Sequence, residues 1–315
     1  MKKMTKALLG TGITCIGAGV ALNSFALTRL SKKISDKMNE AEEKKNPKDM
    51  SAPKEQLRAK DSLWLEEHGY DHISIENRSG KTIHAYIVKA ETESDKWAIF
   101  PHGYTSSPDK MGCYGLHYYE KGFNLLFPVM RGHTISEHHY ITMGWLDRLD
   151  IVDWIQYLID VYKDPQIVLH GESMGAATVM MTTGENLPFN VKCAVADCGY
   201  SSVWDEFGNE LKNTYHLPKF PILYIADGVT KVLSGFGFKE ASSIKQLQKS
   251  KTPTLFIHGE KDEFVPYKMM YKNYNAAVCE KEKLSVPDAE HAESLFVHPE
   301  LYWDNTFRFI DKYVK

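Results

Sequence analysis

The sequence of 315 residues predicts an α/β fold: a doubly wound, mostly parallel sheet with a small helical insertion. Two observations lead to this prediction. Short, mostly apolar runs recur along residues 61–315, as expected of parallel strands that helices cover on both faces. Between them lie segments with apolar residues at three- and four-residue steps, which is typical of amphipathic helices. A content of 43% hydrophobic and 25% charged residues agrees with a globular domain.

Residues 1–30 are predicted to be a hydrophobic membrane anchor or an export signal. Residues 7–28 carry no charge and follow three lysines. As a helix they would be roughly 33 Å long, about the thickness of bilayer hydrocarbon. A single-pass anchor would place the protein at the cell membrane, whereas cleavage near residues 24–26 would release a secreted protein. A buried helix of the main domain is a third interpretation, and the side of the membrane stays open.

Residues 31–60 are predicted to be a charged linker. They contain fifteen charged side chains and no aromatic one, so they cannot form a core and suit a tether or a solvated helix. The remaining domain, residues 61–315, carries 25 basic and 35 acidic side chains. An acidic domain without a basic stripe argues against nucleic-acid binding.

The first strands of the domain are predicted to pair as a hairpin at a sheet edge. Residues 72–75 and 82–88 alternate apolar with polar side chains around a turn at 77–80. Five apolar runs then predict the buried parallel strands, at residues 97–100, 123–129, 166–170, 191–196 and 254–258.

The clearest helix is predicted over residues 143–162, where apolar residues recur at helical spacing. Its charged residues are expected to form a solvated face; they are Asp147, Arg148, Asp150 and Asp153. Residues 201–250 break the alternation of strands and helices. Their many aromatic residues predict a small cap over the site, with a peripheral helical layer as the alternative.

The segment Gly171-Glu172-Ser173-Met174-Gly175 is predicted to be a nucleophile elbow. It follows a predicted strand and precedes a good helix former at residues 176–181. In such a G-x-S-x-G turn the serine takes a strained backbone conformation at the carboxyl edge of the sheet, and the glycines avoid clashes. Ser173 is therefore the candidate nucleophile.

A serine hydroxyl needs a base to remove its proton and an acid to orient that base. In a sheet of this kind both follow the serine in the order acid, then histidine. Asp262, in the loop after the strand at 254–258, is the candidate acid, and His291, after a predicted strand at 283–286, is the candidate base. The weaker alternatives are Glu260, Glu263 and Asp197 for the acid, and His258 and His298 for the base.

The oxyanion of the reaction needs two backbone N–H donors, and we expect those of Met174 and Tyr104. The histidines at 133, 138 and 139 match no metal-site spacing, so a surface loop and no metal are expected. Arg131 is expected to pair with a nearby carboxylate. Cys193 and Cys198 lie five apart in a predicted strand, so they cannot bridge each other.

These motifs resemble those of the α/β-hydrolase superfamily. They are His102-Gly103, Arg131-Gly132-His133, residues 171–175, His258-Gly259 with Asp262, and His291. Within the superfamily the chain is similar to a membrane-tethered bacterial group related to serine aminopeptidase-like and Bem46-like hydrolases. Two positions differ from the common pattern of the superfamily. Val129 stands where an aspartate is common, and Glu290 stands where a glycine is frequent. The larger side chain of Glu290 could narrow the site or tune His291. The resemblance implies acyl-group hydrolysis through an acyl-enzyme.

The expected function is hydrolysis of a small-molecule carboxylic ester, with no cofactor and no metal. An aminopeptidase-like amide hydrolase is the alternative, and it would need an acidic group to hold the free amine of its substrate. A non-catalytic tethered binding domain is the third hypothesis.

Overall fold

The computed structural model describes residues 53–315, of which residues 56–315 form one compact unit. The predicted anchor or signal at 1–30 and most of the predicted linker lie outside the described residues. Within the described part, no helix combines the length and apolar character that crossing a bilayer requires. Helix α1 (Pro53–His68) crosses the predicted start of the domain at residue 61, and its Leu65 is buried in the core.

One sheet of eight strands runs through this unit. The strands are β1 (Asp71–Glu76), β2 (Thr82–Val88), β3 (Lys96–Ile99), β4 (Asn124–Pro128), β5 (Gln166–Glu172), β6 (Val191–Asp197), β7 (Thr254–Gly259) and β8 (Lys281–Val286). Their spatial order is β1-β2-β4-β3-β5-β6-β7-β8. β2 is antiparallel to β1 and to β4, and all other neighbours are parallel. The predicted edge hairpin and the mostly parallel sheet are confirmed.

Helices cover both faces of the sheet. They are α2 (Gly112–Glu120), α3 (Asp147–Val161), α4 (Met174–Thr182), α5 (Val203–Asn213), α6 (Ile222–Ser234), α7 (Ser243–Leu247), α8 (Lys268–Ala276), α9 (Ser294–Val297) and α10 (Pro299–Ile310). Because side chains alternate along a strand, Trp97 and Ile99 pack with α3 on one face. Phe100 packs with α2 and α10 on the other face.

The prediction of a solvated charged face on α3 was wrong for two of its residues. Asp147 and Asp150 are buried. The Asp150 carboxylate accepts two hydrogen bonds from the Arg131 guanidinium, at 2.6 and 2.7 Å, and one from the Asn77 amide at 2.7 Å. The physical reason is that this side of α3 packs against the loop after β4 and the hairpin turn. The expected carboxylate partner of Arg131 is thereby confirmed.

Helix α3 also begins four residues later than predicted. Met143 and Gly144 have positive φ angles of 48° and 76°, which a right-handed helix does not accommodate. The Asp147 carboxylate instead accepts hydrogen bonds from the Thr142 hydroxyl and the Gly144 N–H. These bonds fix a tight turn that leads into the helix.

The insertion, residues 201–250 between β6 and β7, contains helices α5, α6 and α7 and no strand. Its Leu223 and Phe236 belong to the same buried apolar cluster as Met174, the first residue of α4. The insertion therefore shares an apolar core with helix α4, which follows the predicted nucleophile elbow.

Candidate active site

Ser173 occupies a strained turn between β5 and α4. Its φ and ψ angles are 57° and −116°, a combination that non-glycine residues rarely adopt. A methyl group on Gly171 would overlap the backbone of Gly175, and one on Gly175 would overlap the carbonyl oxygen of Pro101. Both glycines are therefore required sterically, and the chain forms the elbow that the sequence predicts.

The structure brings Ser173, His291 and Asp262 together in one hydrogen-bonded chain. The Ser173 hydroxyl lies 2.9 Å from His291 Nε2, and His291 Nδ1 lies 2.8 Å from Asp262 Oδ2. The two pairs are 118 and 29 residues apart in the sequence. The Asp262 side chain is fully buried, whereas 22% of the His291 side chain is exposed.

Asp262 is held by more than His291. The Val265 N–H donates to its Oδ1 at 2.9 Å, and His258 Nε2 lies 3.1 Å from its Oδ2. Burial alone would raise the pKa of the Asp262 carboxyl, but His291 and His258 outweigh burial and lower this pKa to about 2. The alternative acids Glu260 and Glu263 are exposed. His258 also lies 2.8 Å from the Val265 carbonyl oxygen, which is the structural hydrogen bonding expected of it.

The electrostatic surroundings of His291 favour its protonated form. Burial would lower the pKa of the imidazole, but the charge and hydrogen bond of Asp262 raise it above its usual value. Glu172 and Asp197 contribute in the same direction at longer range. Glu290 is exposed.

A buried polar network lies behind the elbow, and sequence reasoning missed it. Glu172 and Asp197 end the neighbouring strands β5 and β6 in register. The Tyr114 hydroxyl donates to Glu172 at 2.6 Å, and the Tyr302 hydroxyl donates to Asp197 at 3.0 Å. Burial and then the charge of Glu172 raise the pKa of Asp197 to about 7. The sequence signal that could have revealed this network is that two neighbouring strands each end in an acidic residue.

The loop after β3 runs directly beside Ser173. A Cβ atom on Gly103 would lie 3.6 Å from the Ser173 Cβ, so the backbone before Tyr104 passes close to the serine. Met174 begins helix α4, and the first N–H groups of a helix have no acceptor within it. Both expected oxyanion donors thus belong to segments that border Ser173.

Two buried histidines hold that loop. His102 Nδ1 lies 2.9 Å from the Gly103 carbonyl oxygen, and its Nε2 accepts from the Met130 N–H at 3.2 Å. His133 Nε2 accepts from the Thr105 N–H at 3.1 Å. The expectation that His133 lies in a surface loop was wrong, because it fills the space between this loop and the one after β4.

One group of potential metal ligands occurs in the described part of the chain. Ligand atoms of Cys198, Asp262 and His291 lie within 4.8 Å of one another. Both His291 nitrogens and the Asp262 carboxylate already make the hydrogen bonds described above, so this arrangement fits acid–base chemistry. Cys193 and Cys198 form no disulfide bond, which agrees with the prediction that they do not bridge each other.

Comparison with known protein families matches residues 118–294, more than half of the chain, to the prolyl oligopeptidase family. The chain belongs to the prolyl oligopeptidase family. This family assignment and the sheet order confirm the α/β-hydrolase fold that the sequence predicts.

Relatives of this prolyl oligopeptidase family member include the uncharacterized protein YqkD of Bacillus subtilis, 25% identical over 99% of this chain and 98% of YqkD. The bem46 protein of Schizosaccharomyces pombe is 22% identical over 71% of this chain and 72% of its own length. Among solved structures, an esterase of Pyrococcus furiosus superposes with a TM-score of 0.64 at 23% identity. That match covers 79% of this chain and 93% of the esterase and shows a shared fold.

Proposed function

We propose that the protein is a serine hydrolase that cleaves carboxylic esters of small molecules through an acyl-enzyme, with no cofactor or metal. One observation carries the proposal: the unbroken hydrogen-bonded chain from Ser173 through His291 to the buried Asp262. This order of groups, with the serine on a strained elbow, is the arrangement that activates a hydroxyl as a nucleophile.

In the proposed acylation step, Ser173 Oγ attacks the acyl carbon and its proton moves to His291 Nε2. The ionised Asp262 stabilises the imidazolium that forms and holds the ring in the correct tautomer. The negative oxygen of the tetrahedral intermediate accepts hydrogen bonds from the N–H groups of Met174 and Tyr104. The imidazolium then protonates the leaving alcohol, and the acyl group remains on Ser173.

In the proposed deacylation step, water replaces the alcohol and His291 takes its proton. The water oxygen bonds to the acyl carbon, and the bond between this carbon and Ser173 Oγ then breaks. The imidazolium returns its proton to Ser173 Oγ, so the carboxylic acid is released and the hydroxyl is regenerated. Asp262, with a pKa near 2, stays ionised throughout both steps at neutral pH.

Replacement of the nucleophile tests the proposal. Ser173→Ala is expected to abolish hydrolysis of a short p-nitrophenyl ester while circular dichroism and thermal unfolding stay close to those of the parent protein. An alanine variant that turns the ester over at the parental rate would refute the proposal.

One observation favours amide hydrolysis as a second candidate function. Glu206, on α5, is buried, and neither of its carboxyl oxygens has a hydrogen-bond partner in the described part of the chain. Burial, followed by the charges of Glu210 and Asp262, raises the pKa of Glu206. We propose that the ammonium group of an aminoacyl substrate would pair with this carboxyl and ionise it, so that Glu206 would hold the free amine.

Paired substrates separate the two candidate functions. The ester function predicts faster hydrolysis of an acetyl ester than of an aminoacyl amide, and Glu206→Gln should change ester turnover little. The amide function predicts the opposite preference, together with a rise in KM for the aminoacyl amide in Glu206→Gln.

From the sequence we also propose that residues 1–30 hold the protein at a membrane. The charge-free run at 7–28 supports this proposal. Alkaline extraction of membranes from producing cells tests it, because an anchored chain stays in the pellet and a released chain does not.

A further inference from the structure

Helix α6 and the segment before it expose apolar side chains that nothing in the described part of the chain covers. The exposed fractions are 72% for Phe220, 58% for Ile225 and 78% for Val232. In a helix, Ile225 and Val232 project on the same side because they are seven residues, or about two turns, apart. We call Phe220, Ile225 and Val232 the outer face of α6.

The opposite side of the helix is already used for packing. Leu223 is buried in the cluster that contains Met174. A helix that is apolar on both sides belongs in a place where both sides are covered. Large exposed apolar patches on proteins commonly mark interaction sites.

The charges around the outer face identify the kind of surface that fits it. Residues 212–240 contain the lysines at 212, 219, 231 and 239 and two acidic residues, Asp227 and Glu240. Lys231 Nζ lies 3.7 Å from the Glu240 carboxylate at the surface. Asp227 is occupied locally, because its Oδ1 accepts a hydrogen bond from the Phe238 N–H. The surrounding domain, residues 61–315, is acidic overall. An apolar helix face with lysines at its margins is the pattern of an interfacial helix on anionic lipid.

A second copy of the chain fits this face less well, since pairing two outer faces would bring two sets of lysines together. The chain length before the structure also agrees with a lipid surface. The predicted anchor ends at residue 30 and α1 begins at Pro53, so 22 residues lie between them, enough to span at most roughly 75 Å.

We propose that the outer face of α6 docks on an anionic lipid bilayer. The proposal goes beyond the proposed function, and its test requires no turnover.

The test uses an environment-sensitive fluorophore on the full chain. The label is attached at Val232→Cys, with Cys15 and Cys279 changed to Ser so that the remaining native cysteines are buried. A matched control carries the label at Phe189→Cys. Phe189 is 76% exposed and lies just before the amino end of β6, whereas Ser173 lies at the carboxyl ends of the strands. Each protein is mixed with phosphatidylcholine vesicles with or without phosphatidylglycerol, and with lipids that carry a spin-label quencher.

The proposal predicts a blue shift and quenching at position 232 and neither effect at position 189. Both effects should weaken at least twofold without phosphatidylglycerol or after the double change Lys219→Glu and Lys231→Glu. Equal signals at 232 and 189, or no change at 232, would overturn the proposal. A blue shift at 232 without vesicles that grows with protein concentration would also overturn it, in favour of a second copy. The same measurement on Ser173→Ala tests lipid binding in a protein without the proposed nucleophile, so the lipid proposal and the hydrolase proposal can fail independently.

Discussion

Changing Asp262 to Asn removes a buried charge from the proposed catalytic site and preserves the size of the side chain. In the parent protein the Asp262 carboxylate accepts from His291 Nδ1 at 2.8 Å and lies 3.1 Å from His258 Nε2. An amide can present its NH₂ group to His291, which favours the tautomer with the proton on Nε2. That tautomer cannot accept the proton of the Ser173 hydroxyl.

The expected loss follows from this chemistry. A carboxylate-to-amide change in a serine–histidine–aspartate arrangement lowers kcat by roughly 10³- to 10⁴-fold, or about 4–5.5 kcal/mol of transition-state stabilisation. The acidic limb of the pH profile should also move to lower pH. Its pKa is that of His291 in the free enzyme, which Asp262 raises above the usual value.

Steady-state kinetics on a p-nitrophenyl ester, from about pH 5 to about pH 9, measures both effects. The exposed Glu263 provides the control, because Glu263→Gln should leave kcat and the pH profile unchanged. A loss below about tenfold in Asp262→Asn would refute the reasoning, since another carboxylate would then orient the base.

Four further changes test the fold. Gly175→Ala should lower the free energy of unfolding by roughly 2–4 kcal/mol, because its methyl group overlaps backbone. Gly228→Ala, a helix position with no atom near the added methyl, should raise it by about 0.5–1 kcal/mol. Arg131→Ala should cost roughly 3–5 kcal/mol by leaving the Asp150 carboxylate buried without its cation, and adding Asp150→Ala should restore part of that loss. Asp197→Asn should stabilise the protein by up to about 4 kcal/mol at about pH 8 and by little at about pH 4.

The sign for Asp197 follows from its raised pKa. The native state keeps the proton up to about pH 7, whereas the unfolded chain releases it near pH 4. Stability of the parent protein therefore falls as the pH rises between these values, and the amide lacks this dependence. Denaturant titrations across that range measure the difference, and parallel curves of stability against pH for the two proteins would contradict the assignment.

Equal changes in the free energy of unfolding for Gly175→Ala and Gly228→Ala would contradict the close approach of backbone atoms at the elbow.

Local sequence patterns were sufficient to predict the sheet and to select three residues that the structure joins by hydrogen bonds. The elbow combines a strand, two glycines and a helix former within a dozen residues, so its conformation is determined locally. Asp262 and His291 each follow a recognisable strand, and the carboxyl ends of parallel strands meet at one edge. Their proximity to Ser173 therefore follows from strand order alone.

Burial of polar groups was not predictable in the same way. Asp150 and His133 look like surface residues in their own segments, and their burial depends on contacts between elements that are distant in the sequence. The pairing of Glu172 with Asp197 depends on the register of β5 against β6, which periodicity does not specify. The unpartnered Glu206 is evident only once α5 is placed against the site.

A fluorophosphonate probe shows whether Ser173 is an activated nucleophile, because such probes react with activated serines. We expect one covalent adduct per chain, mapped by mass spectrometry to Ser173 and absent from His291→Ala. An unlabelled native protein would contradict the account and favour a non-catalytic binding domain, and an adduct on a different serine would contradict the assignment of the nucleophile.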